Sequence, residues 1–478
     1  MKQLLSLEST RLFYSTVSID NPFRISIPGG IVAVVGPNGS GKSLLGNIIT
    51  RGRNFRTNRI ITPPDFKVKK VEFDDIHSLR GFTAPGYYQQ RYEATMNEDV
   101  PTIRDVIPAN IDRGQFLNYC KKLGMADITE RKINFLSSGE LRKLLIALTL
   151  SERPDLLILD NPYIGLDHAA RVLLDEALQQ LRTDGVNIML LLCDPLEIPQ
   201  CTDAVVPVNE MTVHDPIVVE NNLRPIQESL LPMFDFSFNK QAIPARPTDL
   251  SAQYNTIVKF DNCKIANGHR LLIESFDWTI KDNERWSLSG PNGSGKSTIL
   301  SLINADNPAG YRSNITLFDR QRGSGESIWD IKRLIGYVSP EMKLYFTGTG
   351  DLESILGHGL VDTVGNFVKL SEKQIAHAYA WIKVMNMENL TTTPYSALSA
   401  GERQLALVTR AIIKQPRLLI LDEPMHALDY GRKKALRELL EHMCHRSDNA
   451  PEANPMSMIF VTHQPQELPD TVMKTKSL

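Results

Sequence analysis

Gly290-Pro291-Asn292-Gly293-Ser294-Gly295-Lys296-Ser297-Thr298 follows a short strand-like run, Trp286-Ser287-Leu288-Ser289, and leads into the helix-like Thr298-Ile299-Leu300-Ser301-Leu302-Ile303. A glycine-rich turn between strand and helix is the arrangement that wraps phosphate groups. Its backbone N–H groups converge at a helix N-terminus, and its glycines let the chain approach without a Cβ in the way. Lys296 can reach the β- and γ-phosphates of a nucleotide, and the Ser297 hydroxyl can hold Mg2+. By chance alone the bare pattern arises in roughly one chain of this length in sixty. Here the same octapeptide recurs as Gly36-Pro37-Asn38-Gly39-Ser40-Gly41-Lys42-Ser43. Two identical copies make coincidence negligible.

Working outward, each copy sits in the same succession of elements. In the first half, Ile31-Val32-Ala33-Val34-Val35 is an apolar run of buried-strand type ahead of the loop. Leu136-Ser137-Ser138-Gly139-Glu140 precedes helical apolar spacing at Leu141, Leu144, Leu145 and Leu148, and Pro154 ends that helix. Leu156-Leu157-Ile158-Leu159-Asp160-Asn161-Pro162 is a buried strand ending in an acid, followed by Gly165-Leu166-Asp167 and a last buried strand from Asn187 into Cys193.

The second half repeats the order. Leu398-Ser399-Ala400-Gly401-Glu402 precedes a helix carrying Leu405, Val408 and Ile412, stopped near Pro416. Leu418-Leu419-Ile420-Leu421-Asp422-Glu423-Pro424, then Ala427-Leu428-Asp429, then Met458 to His463 complete it. Ser137/Ser399, Pro154/Pro416, Asp160/Asp422 and Asp167/Asp429 are each 262 residues apart, and the loop lysines are 254 apart. So regular a repeat implies two homologous domains, 1–214 and 254–478. The proline-rich stretch 215–253 between them reads as a linker laid over the domain surfaces.

The bulk composition excludes several classes. Charged residues are 23%, hydrophobic residues 42% and the net charge is −2, an ordinary globular balance without the basic excess of a nucleic-acid binder. The nearest basic cluster, Lys67-Val68-Lys69-Lys70, reads as a solvated strand edge. No apolar run approaches the ~18–20 residues of a membrane span. The start has too short an apolar core for a signal peptide. Five scattered cysteines without a CxxC pair fit reduced cytosolic thiols, with no zinc or iron–sulfur framework.

The ordered set of phosphate loop, LSxGE signature, apolar strand with Asp-Glu-Pro, Leu-Asp and a final strand ending in His resembles an ABC-type ATPase, twice over. Leu317 to Lys332, with Arg322-Gly323-Ser324-Gly325-Glu326 at its centre, and Ile335-Gly336-Tyr337-Val338-Ser339 resemble the tandem ATPases called ModF, or photorepair proteins, a family associated with molybdate transport. The resemblance implies an α/β fold of two tandem P-loop NTPase domains. Each would have a mostly parallel sheet core, an antiparallel β part and a helical signature subdomain.

It also implies a head-to-tail pairing of the two halves within one chain, with two ATP molecules, each with Mg2+, at the seam. In the site of the second loop, Gly290, Asn292, Gly293, Gly295, Lys296, Ser297 and Thr298 would hold phosphates. Ser297 and Asp422 would serve Mg2+, Glu423 would polarise the attacking water, and His463 would sense the γ-phosphate. Ser137 and Gly139 would face this site from the other half. The opposite site would use Gly36, Asn38, Gly39, Gly41, Lys42, Ser43 and Asp160, faced by Ser399 and Gly401, with Ser43 and Asp160 on the metal. It departs from the pattern at Asn161, where the catalytic carboxylate is an amide, and at Cys193, which stands in register with His463. The expectation is a site that binds Mg-ATP and hydrolyses it slowly or not at all.

Other family features are open. The Q-loop glutamine has no counterpart near Pro340-Glu341, while Gln89-Gln90 and Asp74-Asp75 are both candidates in the first half. Phe13 or Tyr14 could stack on adenine in the first site, and His269 is a weak substitute in the second. The expected role is ATPase subunit of a transport system with its permease on other chains, cytoplasmic or peripheral at the inner face of the membrane. The alternative is a soluble ATP-driven switch acting on ribosomes, nucleic acid or another complex.

Overall fold

A computed structural model describes residues 3–9, 12–14, 17–19, 23–51, 58–72, 102–109, 111–125, 128–132, 136, 138–166, 168–245, 254–267, 270–291, 293–340, 342, 350–363, 368–449 and 456–478. The chain divides into two compact units, Met1–Asp235 and Phe236–Leu478.

In the first unit the parallel strands lie in the order Val68–Glu72, Leu156–Asp160, Asn187–Leu192, Ile31–Val35, Ala204–Asn209. In the second the order is Ile335–Val338, Leu418–Asp422, Ser457–Val461, Arg285–Ser289, Lys474–Ser477, again all parallel. The sequence repeat is therefore a repeat of topology, strand for strand. Helices cover both faces of such a sheet, which is why its strands read as unbroken apolar runs. In the second unit Leu418 and Ile420 pack into one core with Ile299 and Ile303 of the helix after the glycine loop. Leu419 and Leu421 point the other way, into a core with Leu405, Val408 and Leu436.

Each unit also has an antiparallel part. In the first it is Phe23–Pro28, Gln3–Ser9 and Asn58–Ile61; in the second it is the long hairpin Thr256–Asn267/Arg270–Lys281 with Ile315–Leu317 and Arg320–Gln321. The signature helices run Ser138–Leu150 and Ala400–Ile412. After each, the residue before the proline turns left-handed, Arg153 at φ 53 and Gln415 at φ 48, so the chain reverses into the acid-bearing strand.

Within the stretch 215–253, the described residues 215–245 are tied to the units they belong to. Ile217–Val218 pairs with Ala204–Val205, and Gln227 donates to the Pro195 carbonyl at 3.0 Å. Past Asp235, Phe238 and Ile243 enter the second unit's core, and Gln415 donates to the Pro244 carbonyl at 2.9 Å. Among the described residues no helix is long and apolar enough to cross a membrane. The five cysteines are buried, and none forms a disulfide.

Candidate functional site

Both glycine loops sit at the carboxyl ends of their strands, where open α/β sheets bind ligands. Gly41 and Gly295 stand at φ +105 and +103, a left-handed conformation that a side chain rarely tolerates, immediately before the helices Lys42–Arg51 and Lys296–Ile303. Each lysine folds back over its own loop. Lys42 Nζ donates to the carbonyls of Gly36 at 2.7 Å and Pro37 at 2.6 Å. Lys296 Nζ makes the same bonds to Gly290 at 2.7 Å and Pro291 at 3.0 Å. Gly36 is fixed by space rather than torsion, because a Cβ there would lie 1.9 Å from the Val208 carbonyl oxygen. Gly36→Ala is expected to cost about 1–3 kcal/mol, as overpacking against backbone does, and to displace the Lys42 acceptor. Thermal unfolding with and without nucleotide checks this.

The acids lie beside the loops. Asn161 and Glu423 follow the strand ends at φ 48 and 52, and their N–H groups bond the neighbouring strand at Leu191 (2.9 Å) and Val461 (3.0 Å). The backbone at this position is the same in both units, but the chemistry is not. In the second unit His463 Nε2 lies 3.4 Å from Glu423 Oε1, both largely buried, and Asp422, the residue before Glu423, is buried. In the first unit Asp160 Oδ2 accepts from Ser43 Oγ at 3.0 Å and Asp160 Oδ1 accepts from Asn161 Nδ2 at 3.1 Å. Cys193 is buried at the end of the adjacent strand.

Asp160 has a further partner that sequence reading misplaced. Lys70 is not on a solvated edge: its side chain is 6% exposed and its Nζ lies 3.0 Å from Asp160 Oδ2. Lys69, one residue earlier, points outward and pairs with Glu152. Successive side chains on a strand face opposite sides, and the inward side here is covered by the helix after the loop.

The signature segments add contacts that no motif announces. Ser399 caps its helix: its Oγ accepts the Glu402 N–H at 3.3 Å, and its own N–H donates to Glu402 Oε2 at 2.7 Å. One turn on, Gln404 Nε2 donates to the Pro424 carbonyl at 2.9 Å, tying the helix to the turn after Glu423. Arg142, at the matching position, reaches the Pro162 carbonyl at 2.6 Å. Gly139 and Gly401 lie in the first turns of the two helices. Asp429 is buried, accepting the Arg432 N–H at 2.8 Å and pairing with its guanidinium. Ser137, Asp167, Asn292, His269, Glu341, Asp74-Asp75 and Gln89-Gln90, and the side chains of Phe13 and Tyr14, lie outside the described residues.

The Arg322–Glu326 segment is a pinned turn. The two side chains pair at 2.7 Å, both buried, and Glu326 also accepts the Gly323 N–H at 2.8 Å. The Arg322 guanidinium lies 4.5 Å from the Tyr311 ring centroid. Burial pushes the Glu326 carboxyl up, but the Gly323 N–H and the Arg322 charge outweigh it and hold it below the usual range.

The family described as ABC transporter matches residues 23–164 and 273–426, one stretch in each unit. The chain belongs to the ABC ATPase family. Over 489 residues it is 30% identical to the ABC transporter ATP-binding protein ModF of Escherichia coli (strain K12), covering 98% of this chain and 95% of that one. An uncharacterized ABC transporter ATP-binding protein of Schizosaccharomyces pombe is 28% identical over 462 residues, covering 92% and 90%. The solved RNase-L Inhibitor has the same fold, with a TM-score of 0.52 and 19% identity over 95% of this chain and 85% of that one. Ribosome-bound archaeal Pelota and ABCE1 gives 0.57 and 17% over 92% and 72%. As a tandem ABC ATPase the chain hydrolyses ATP. ABC ATPase domains bind ATP, generally with Mg2+. Among the described residues no three His, Cys, Asp or Glu side chains cluster as a metal cage. Ser297 and Asp422 carry hard oxygens of the kind Mg2+ takes alongside phosphate and water.

Proposed function

We propose that the two nucleotide sites of this ABC ATPase are unequal, and that the chain powers a transport system whose membrane subunits are separate chains, of the molybdate type implied by the family resemblance. Likeness to ModF over nearly the whole of both proteins supports the transport reading. Glu423 beside His463 in one unit, against Asn161 and Cys193 in the other, supports the inequality.

Phosphoryl transfer to water asks chiefly for positioning and charge neutralisation. Lys296 and the loop N–H groups would hold the phosphates, while Ser297 and Asp422 would hold Mg2+, which supplies countercharge when bound. Glu423 would take the proton of the attacking water, with His463 near the γ-phosphate. Ser137 and Gly139 would complete this site, and Ser399 and Gly401 the other. Asn161 can orient a water but cannot accept its proton, so the first site would act as a standing clamp. On this reading the chain works in the cytoplasm or at the inner face of the membrane.

A pull-down with Glu423→Gln, arrested with ATP bound, tests the role against a Lys296→Ala control. Membrane permease subunits captured only by Glu423→Gln are expected. Ribosomes or nucleic-acid proteins in their place would replace the transport reading with the soluble switch, which the missing glutamine near Pro340-Glu341 favours.

A further inference from the structure

We propose that the Lys70 ammonium takes the place of the divalent cation in the first nucleotide site, so that this site holds a nucleoside triphosphate without metal. The inference rests on the reading of Gly36–Ser43 as a nucleotide site.

The two oxygens that would hold a metal there are already joined. Ser43 Oγ and Lys70 Nζ each lie 3.0 Å from the same oxygen, Asp160 Oδ2. Nor is Lys70 an arm free to swing away. Its side chain is 6% exposed, and Nζ donates a second bond to Asn47 Oδ1 at 3.1 Å, on the helix that follows the loop. Its Cε lies 3.7 Å from where a Cβ on Gly46 would stand, so the stem is walled in by that helix. A divalent ion at Asp160 would meet a like charge at contact distance.

The repeat supplies the internal control. Lys70 pairs in register with Ile158, two residues before Asp160. In the second unit the strand position opposite Ile420, two before Asp422, belongs to Tyr337, a phenol. Lysine thus holds this strand position in the unit that lacks the general base, and tyrosine holds it in the unit that has it. A metal in these sites would supply countercharge to the phosphates. In the first site, where Asn161 leaves no proton acceptor, fixed ammonium groups on Lys42 and Lys70 would meet that need.

The test uses the full chain. Lys296→Ala isolates the first site and Lys42→Ala the second, and each is titrated with a fluorescent ATP analogue in Mg2+ and in EDTA. The first-site affinity is expected to change by less than about threefold on removing metal, and the second-site affinity to fall by about tenfold or more. As a second readout, Mn2+ counted by electron paramagnetic resonance at saturating ATP should be one ion per wild-type chain and two in Lys70→Met, which keeps the stem and removes the charge. A tenfold loss in EDTA for Lys296→Ala, or two Mn2+ in the wild type, overturns the proposal alone. No nucleotide on Lys296→Ala under either condition overturns the nucleotide reading and the proposal together. If Lys70→Met does not fold, the EDTA comparison still decides.

Discussion

Glu423→Gln is expected to lower steady-state ATP hydrolysis by ~10²–10⁴, the usual worth of a general base, while ATP binding stays intact. Glutamine keeps the shape and can still orient a water, but it takes no proton. The backbone is indifferent to the change, because Asn161 holds the same left-handed conformation (φ 48) that Glu423 does (φ 52). What changes is the group 3.4 Å from His463 Nε2. On the proposed inequality of the sites, the first does not compensate, because its matching residue Asn161 is an amide. Phosphate release measured alongside equilibrium ATP binding separates the two effects. Equal hydrolysis rates for wild type and Glu423→Gln would sink the assignment of Glu423.

Much of the fold was legible because burial on both faces leaves a plain mark. Leu156–Asp160 and Leu418–Asp422 are continuous apolar runs ending in an acid, and both are interior strands of parallel sheets. Ser399 three residues before Glu402 is a capping-box signature, and the helix begins between them. Lys70 was illegible for a physical reason. Lys67, Lys69 and Lys70 together read as solvent, and Val68–Glu72 is indeed at the edge of its sheet among the described residues. Strand pairing and the helix packed above decide which lysine turns inward, and neither is written in four residues.

The Gln404 and Arg142 contacts were missed differently. They are unlike residues, so a search for matching identities passes over them. Their common spacing from Ser399 and Ser137 was the available signal. Phe238 and Ile243 lie scattered among prolines and polar residues without a period, so nothing marked them as anchors to the second unit's core. Arg322-Gly323-Ser324-Gly325-Glu326 stood out as a motif with no reason attached. The buried pair at its ends shows what the motif holds: two charges out of water, each meeting the other across the turn.

Arg417→Ala is expected to destabilise the second unit by about 3 kcal/mol, toward the lower end of what breaking a buried ion pair costs. Arg417 immediately precedes the strand that carries Asp422 and Glu423, and its side chain is 0% exposed. Its Nη2 lies 2.6 Å from Asp282 Oδ2, and its guanidinium carbon is 5.5 Å from the Tyr254 ring centroid. Its backbone joins the strands at their amino ends, donating to the Leu334 carbonyl and accepting from the Ser457 N–H, both at 2.9 Å. Burial raises the Asp282 carboxyl and the Arg417 charge opposes the rise. Without Arg417 the carboxylate keeps the backbone N–H groups of Asn283, at 3.1 Å, and of Tyr254, with partial contact with solvent, which is why the lower end applies. The sign with pH follows. A carboxyl whose folded pKa is raised gives its stability at low pH and loses it as pH climbs through the folded value. The deficit of Arg417→Ala should therefore narrow as pH falls toward the ordinary Asp value of 3.8. Arg417→Met/Asp282→Asn, which restores bulk and removes both charges, should recover most of the loss. Urea unfolding of the three chains at two pH values measures all of this. A deficit that ignores pH would mean that the arginine acts through volume alone. The strand that presents Asp422 and Glu423 would then be held at its amino end by packing and not by charge.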